Sequence, residues 1–316
     1  MIEKMAFIYI TEIVFKILFW NVENFFDPFE NQGGRDIEFT SRGERFWNWK
    51  RFEKKCFDIS KGVIFAGEGD LPVLVGFAEV ENRFVLNALL SKTPLSMADY
   101  RIIHKDSPDV RGIDVALLYR KNIFKPIEIN FIEVILDDSV KTRDILHVKG
   151  VLDIVDTLHI IVNHWPSKIS GNASSERRRR AVSAKVQMML DSINIDQDSK
   201  VILMGDFNDT PEKDYLNFKV MSNLGIDLYK KGVGSIKYKG VWELIDQFIV
   251  SKSLISDSSL YVDKKGMDVI LFGYLLEKDK EFLGYKPRRT YIGPIYNGGV
   301  SDHLPILIKL KKRVQF

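Results

Sequence analysis

The chain has 316 residues, of which 45% are hydrophobic and 28% charged, with 46 basic against 43 acidic side chains, an ordinary globular composition. A net charge of +3 is too balanced to imply nucleic-acid binding from global charge, though a local basic groove stays open, and the lone Cys56 excludes an intrachain disulfide. The length suits two average domains or one large two-sheet domain. With no Pro/Gly/Ser linker, low-complexity block or fixed-period repeat, a single domain over residues 1–316 is expected, its core at about 15–310.

From the N-terminus, Met5–Ile10 is apolar but short, and Glu3 and Glu12 flank it. It falls below the apolar core of a signal peptide and the roughly 20 residues of a membrane span. No membrane span is expected, and a cytoplasmic location is favoured unless the true start lies upstream of Met1. Short β-branched or aromatic runs predict strands at Ile13–Phe19, Leu71–Phe77, Val115–Tyr119, Ile145–Val155, Leu158–Val162, Val201–Met204, Ile245–Val250 and Pro305–Leu310. Asp156-Thr157 is short enough to join two of them as an antiparallel hairpin. Helical patterns lie at Glu44–Phe65, Asn82–Ser91 and Ser174–Leu190. In the first, Trp49, Phe52, Cys56, Ile59 and Val63 form an apolar series, so Cys56 reads as a small buried hydrophobe. In the third, Ser174 or Ser175 is a candidate N-cap and Val182, Val186 and Met189 share a face. Arg177–Arg180 cannot form one basic patch, because consecutive helical residues are turned by about 100°. Arg179 falls on the Val182 face, where burial against a carboxylate is expected, and the other three read as solvated. Strands joined in hairpins with helices between them predict an α+β fold.

Val201-Ile-Leu-Met-Gly-Asp-Phe-Asn-Asp209 reads as a buried strand that Gly205 releases into oxygen donors. Hard cations such as Mg²⁺ and Mn²⁺ prefer that donor type. Asp, Asn and Gly are also ordinary turn residues, so the run alone leaves both readings open. Five other strand endings carry the same mixture. Asn21, Glu23 and Asn24 follow Trp20; Glu79, Glu81 and Asn82 follow Ala78; Asn163, His164 and Trp165 follow Val162; Asp246 follows Ile245; and Ser301, Asp302 and His303 follow Val300. Six endings of carboxylate, amide and imidazole point to one convergent site.

Trp20-Asn-Val-Glu-Asn24, Ala78-Glu-Val80, Arg111-Gly-Ile-Asp114, Asn163-His164, Gly205-Asp-Phe-Asn208, Ile245-Asp246 and Ser301-Asp-His303 resemble, in that order, the endonuclease/exonuclease/phosphatase (DNase-I-like) superfamily. The likeness runs from about Phe15 to Leu310. It is nearest to a bacterial branch of unassigned substrate with Asn-His-Trp-Pro and a tail like Arg289-Thr-Tyr-Ile-Gly-Pro…Gly298-Gly-Val-Ser-Asp-His-Leu-Pro305. The resemblance implies a four-layer α/β/β/α sandwich of two packed, mainly antiparallel sheets, and a Mg²⁺- or Mn²⁺-dependent phosphoester hydrolase.

The resemblance also implies roles. Glu79 would be the direct metal ligand, with Asn21 and Asp302 beside the ion or joined to it through water. Asp206 would orient or deprotonate the attacking water, and Asn208 would donate to a phosphate oxygen. His303, paired with Asp246, would contact the scissile phosphate and pass protons. His164 would assist the leaving group or bind phosphate, and Arg111 would contact a neighbouring phosphate, its other reading being a salt bridge to Asp109 or Asp114. Asn163, Trp165 and Lys168 are candidate substrate contacts, and Trp242 lines the pocket or packs in the core.

The favoured substrate is a phosphodiester, with nucleic acid the candidate partner and the protein acting as a monomer. An inositol phosphate, a nucleotide or a phospholipid head group would use the same residues, since recognition lies in the surrounding loops. No exposed aromatic hairpin or amphipathic anchor stands out to favour a lipid. A non-catalytic scaffold is the remaining reading, and the intact residue set argues against it.

Overall fold

The computed structural model describes residues 10–30, 37–136, 141–153, 156–168, 172–193, 199–255 and 259–315. Met5–Ile10, except for Ile10, lies outside them, as do Ile154 and Val155 of the predicted Ile145–Val155 strand. In chain order the elements are β1 (Ile10–Phe25), α1 (Trp49–Ala66), β2 (Leu74–Val80), α2 (Arg83–Ser91), β3 (Tyr100–His104), β4 (Asp114–Arg120), β5 (Phe124–Ile132), β6 (Ile145–Leu152), β7 (Asp156–His164), α3 (Asn172–Ser192), β8 (Lys200–Asp206), β9 (Met221–Asn223), α4 (Ile226–Lys230) and a hairpin of β10 (Ile236–Tyr238) with β11 (Val241–Glu243). There follow β12 (Asp246–Ser251), β13 (Leu260–Val269), the paired β14 (Leu276–Lys278) and β15 (Tyr285–Pro287), the paired β16 (Tyr291–Ile292) and β17 (Ile295–Tyr296), and β18 (Ile306–Gln315).

Two six-stranded sheets carry the molecule, in the orders β13-β18-β1-β2-β4-β3 and β5-β6-β7-β8-β12-β9. Pairing is antiparallel except for β1 with β2 and β7 with β8. Alternation along the strands sorts side chains into separate cores. Ile17, Phe19, Leu117, Val148, Ile160, Met204 and Phe248 meet in the core shared by the two sheets. Leu18, Trp20, Phe77 and Leu118 face Phe52, Ile59 and Val63 of α1 and Leu86 and Leu89 of α2. Ile161, Val201 and Leu203 face Val182, Val186 and Leu190 of α3. No described helix is long and apolar enough to cross a membrane.

The helices begin where side chains can satisfy their free N–H groups. Asn48 accepts from Arg51 N at 3.2 Å, so α1 starts at Trp49 rather than Glu44, and Asn82 accepts from Phe84 and Val85 at the head of α2. The third helix starts at Asn172, upstream of the serines expected to cap it; Ser175 is buried within its first turn. The β6–β7 hairpin turns earlier than Asp156-Thr157, which already belong to β7, and Asp153 takes a left-handed φ of 47°. Cys56 is buried, and burial pushes its thiol up to about 12, which removes it from thiolate chemistry near neutrality. Arg179 is buried with Nη2 2.9 Å from Asp209 Oδ2, whereas Arg180 is exposed and pairs with Asp214 and Glu176.

Gly205 is required by a close approach. In the parallel β7–β8 pairing it sits opposite Asn163, and a Cβ there would stand 2.4 Å from the Asn163 carbonyl oxygen. Because the obstacle is backbone, Gly205→Ala is expected to lower stability by about 1–3 kcal/mol, read from the urea midpoint. An unchanged midpoint would contradict this packing.

Candidate active site

Strand direction gathers the polar endings at one edge. The C-terminal ends of β1 and β2 lie together because those strands are parallel, as do those of β7 and β8. Antiparallel neighbours add their starts: Asp246 of β12 pairs with Asp206, Asp114 of β4 with Val80, and β18 begins opposite Phe19 just after Ser301–His303. Side chains then bridge the two sheets, with Asn21 Nδ2 donating to Asp206 Oδ2 at 3.0 Å.

The backbone at these ends is strained. Glu23, Asn24, Glu79 and Asn208 have φ of 48°, 51°, 62° and 52°, values that cost a non-glycine residue energy. Two of the strands also shift register there, between Asn21 and Phe25 and between Ala78 and Val80. The distortions turn side chains out of the strand alternation and into the cleft. They are held by local bonds: Glu79 Oε2 accepts from Asn24 N at 2.8 Å, and Asp206 Oδ1 from Asn208 N at 2.8 Å.

His303 forms the most defined contact. Its Nδ1 lies 2.7 Å from Asp246 Oδ2, and its Nε2 3.8 Å from Asp206 Oδ2 and 3.9 Å from Asp302 Oδ1. Burial opposes charge on the ring, but the Asp246 and Asp206 carboxylates outweigh it and hold the imidazole well above its usual range. His303 is therefore an imidazolium at neutral pH. His164 is the opposite case. Its Nε2 lies 3.6 Å from Asp206 Oδ2 and 4.0 Å from Glu79 Oε1, yet burial, with Arg143 and Arg111 adding to it, holds the ring well below its usual range and neutral. Burial pushes Asp206 up to about 7, with the His303 charge pulling the other way.

Asp206, Asp246 and His303 offer ligand atoms within 4.8 Å of one another. Asp246 already engages His303 Nδ1, which leaves Nε2 as the ring nitrogen facing the cleft. Glu79, Asp302 and the Asn21 amide are oxygen donors, which fit a hard divalent cation that keeps several of its waters. Two arginines stand beside them. Arg111 Nη2 is 3.4 Å from Glu79 Oε1 and 2.9 Å from Asn24 Oδ1, and Arg289 Nη2 is 2.9 Å from Asp302 Oδ2. The Arg111 guanidinium thus reaches Glu79, while its backbone N donates to Asp109 Oδ1 at 2.9 Å. Both arginine side chains stay partly open to solvent, at 41% and 46%.

The remaining candidates divide. Asn163 is fully buried, its Oδ1 accepting from Trp165 Nε1 at 3.3 Å while Nδ2 has no partner among the described residues. Trp165 is 1% exposed and packs against Phe207 and Tyr215, so its ring serves the core under α3 and has no face to offer a substrate. Lys168 pairs with Glu243 and Asp209 on the rim. Trp242 is partly buried against the α1-side core. Asn208 Nδ2 donates to the Trp165 carbonyl at 2.9 Å, leaving the second amide hydrogen available.

Sequence reasoning gave no role to a buried support behind Asp302. Arg289 also reaches Glu23 Oε1 at 3.2 Å, Thr290 N donates to Glu23 Oε2 at 2.7 Å, and Lys55 bonds the Glu23 carbonyl and, at 2.8 Å, Thr290 Oγ1. Burial drives Glu23 up to about 7, with Asp302 adding to it, and brings Lys55 down to about 8 against the pull of Glu23. Lys55 was legible in principle, because it falls three residues after Phe52 on the buried side of α1.

Two sheets sharing one core, with helices packed on their outer faces, make this an α+β fold, and the chain belongs to the Endonuclease/Exonuclease/phosphatase family, whose model matches residues 16–312. Among solved structures it is similar to D. rerio TDP2 complexed with single-strand DNA product, at 14% identity and a TM-score of 0.58 over 94% of this chain and 98% of that one. It is also similar to the human Nocturnin catalytic domain with bound sulfate, at 16% and 0.58 over 96% and 97%, and to an endonuclease/exonuclease/phosphatase family protein from Bacteroides thetaiotaomicron, at 15% and 0.57 over 96% and 99%. At these identities the likeness is one of fold. No curated protein matches the chain.

Proposed function

We propose that the protein is a divalent-metal-dependent phosphodiesterase of nuclease type that attacks with an activated water. The observation that carries this reading is the Asp246-paired His303 imidazolium set 3.8 Å from Asp206, with a neutral His164 on the other side of that carboxylate. In that arrangement a proton acceptor stands beside one cationic and one neutral ring able to donate to a phosphate oxygen, which supports displacement at phosphorus.

In this reading Asp206 orients the water and takes its proton, its raised pKa suiting a base near neutral pH. His303 donates from Nε2 to a phosphoryl oxygen and Asp246 fixes its ring. His164, Arg111 and the free hydrogen of Asn208 Nδ2 face the remaining oxygens, and Lys168 borders the substrate, whereas the buried Asn163 supports Trp165. A Mg²⁺ or Mn²⁺ ion held by Glu79, with Asn21 and Asp302 directly or through water, would supply positive charge to the phosphate and the leaving oxygen. A nucleic-acid substrate is the favoured case, supported by the DNA-bound TDP2 neighbour of similar fold.

The test is turnover of DNA, RNA, bis-p-nitrophenyl phosphate and inositol phosphates with Mg²⁺, Mn²⁺ or a chelator. Phosphodiester cleavage that chelation abolishes and either cation restores is expected. Activity that survives full chelation would remove the metal from the reading. No hydrolysis of any of the four would favour a binding scaffold.

A further inference from the structure

A second constellation lies where the β3–β4 loop, residues 105–113, leaves and rejoins its sheet. His104 ends β3 and pairs with Ala116, while Asp114 begins β4. Ala116 belongs to the core under α1 and α2, so His104 opposite it and Asp114 two residues before it share that helix-covered face. Asp106 completes the group from the loop. His104 Nδ1 lies 3.7 Å from Asp106 Oδ1 and Nε2 3.8 Å from Asp114 Oδ2, and one ligand atom from each residue falls within 4.8 Å of the others.

The imidazole is what makes this more than two acids. Its side chain is 1% exposed, yet Nε2 has no hydrogen-bond partner among the described residues. Leaving such an atom buried and unmatched is costly. Asp114 Oδ1 accepts from Ser107 N at 3.0 Å, and Oδ2 is left facing the ring. A separation of 3.8 Å is too long for a hydrogen bond. It is close to the spacing of two atoms bound to one ion, since bonds of about 2.0–2.2 Å place neighbouring ligands roughly 3.3–3.6 Å apart at the tetrahedral angle and farther apart at wider ones.

We infer that His104, Asp106 and Asp114 form a binding site for a first-row transition cation of the Zn²⁺ type at the base of this loop. The ion would take one ring nitrogen, the unpartnered Nε2, with the two carboxylates and water completing a donor set that suits such ions. Mg²⁺ is a poor occupant, because it favours oxygen ligands. The site shares no ligand with the cleft and does not rest on the phosphodiesterase reading. It does touch the cleft through the chain: a cation joining His104 to Asp114 clamps both ends of the loop that presents Arg111 to Glu79 and Asn24.

The test is calorimetric titration of Zn²⁺ in excess Mg²⁺, using a His164→Ala/His303→Ala parent so that no cleft imidazole can bind. One Zn²⁺ per chain is expected, weakened at least tenfold by Asp106→Asn and lost in His104→Ala. Asp106 is 78% exposed, so its substitution leaves the fold alone and keeps the test answerable if His104→Ala fails to fold. Absence of Zn²⁺ binding in the parent, or an unchanged affinity in Asp106→Asn, overturns the site whatever the cleft hydrolyses.

Discussion

His303→Ala is expected to lower kcat by about 10²–10⁴-fold, with a much smaller effect on KM. The imidazolium carries its charge at neutral pH because Asp246 and Asp206 hold the proton on it, and in the proposed reaction that charge meets the phosphate as negative charge develops. The main chain does not depend on the ring. His303 N donates to Ser301 Oγ at 3.0 Å, and its carbonyl accepts from Trp20 Nε1 at 3.0 Å. The fold should therefore survive, with a lower Tm from the buried Asp246 left without its partner. Asp246→Asn on top of His303→Ala should cost little further kcat, since the carboxylate acts through the ring. Steady-state kinetics beside a thermal melt decide the matter: a folded His303→Ala enzyme retaining more than about a tenth of wild-type kcat would fall outside general acid–base magnitudes and sink the assignment.

What the sequence made legible follows the physics of burial. All eight predicted strands exist, because each lies inside a sheet and shows a compact apolar run. In the two six-stranded sheets the four strands that were missed, Tyr100–His104, Phe124–Ile132, Met221–Asn223 and Leu260–Val269, are the edges, and the other missed strands are the two- or three-residue strands of the small hairpins. An edge strand pairs on one side only and tolerates what interior strands exclude. Phe124–Ile132 contains Pro126 at a register shift, and Leu260–Val269 shifts register between Val262 and Met267. Their patterns are broken for that reason. The cleft residues were legible through order along the chain, which brought Asn21, Glu79, His164, Asp206, Asp246 and His303 to one edge. Orientation was not: Trp165 sits next to His164 in sequence but points into the core under α3. Arg143 gave no signal either. It is buried against Asp109 at 3.4 Å and adds to the depression of His164, a contact between distant loops that no local spacing encodes.

The pH profile separates Asp206 from the rest of the cleft. Burial lifts its carboxyl to about 7, so the ionised form that can accept a proton predominates above that pH and is lost as pH falls through it. kcat/KM should therefore drop about tenfold per pH unit on the acid side, as for any single required base. His303 is held well above 6.5 and keeps its proton throughout this range, and His164 is held well below it and stays neutral near pH 7. Neither supplies a limb near neutrality. A bound cation would favour the carboxylate and pull the limb to lower pH, so raising Mg²⁺ from limiting to saturating should shift the profile downward. Asp206 and His303 interact closely enough that a measured value belongs to the pair, and the variant makes the assignment: Asp206→Asn should lower kcat by about 10²–10⁴-fold and flatten the residual acid limb. Asp206→Glu, which keeps a carboxylate at a displaced position, should retain a limb with reduced kcat. An Asp206→Asn enzyme whose residual rate still falls through the same limb would place the base on another residue.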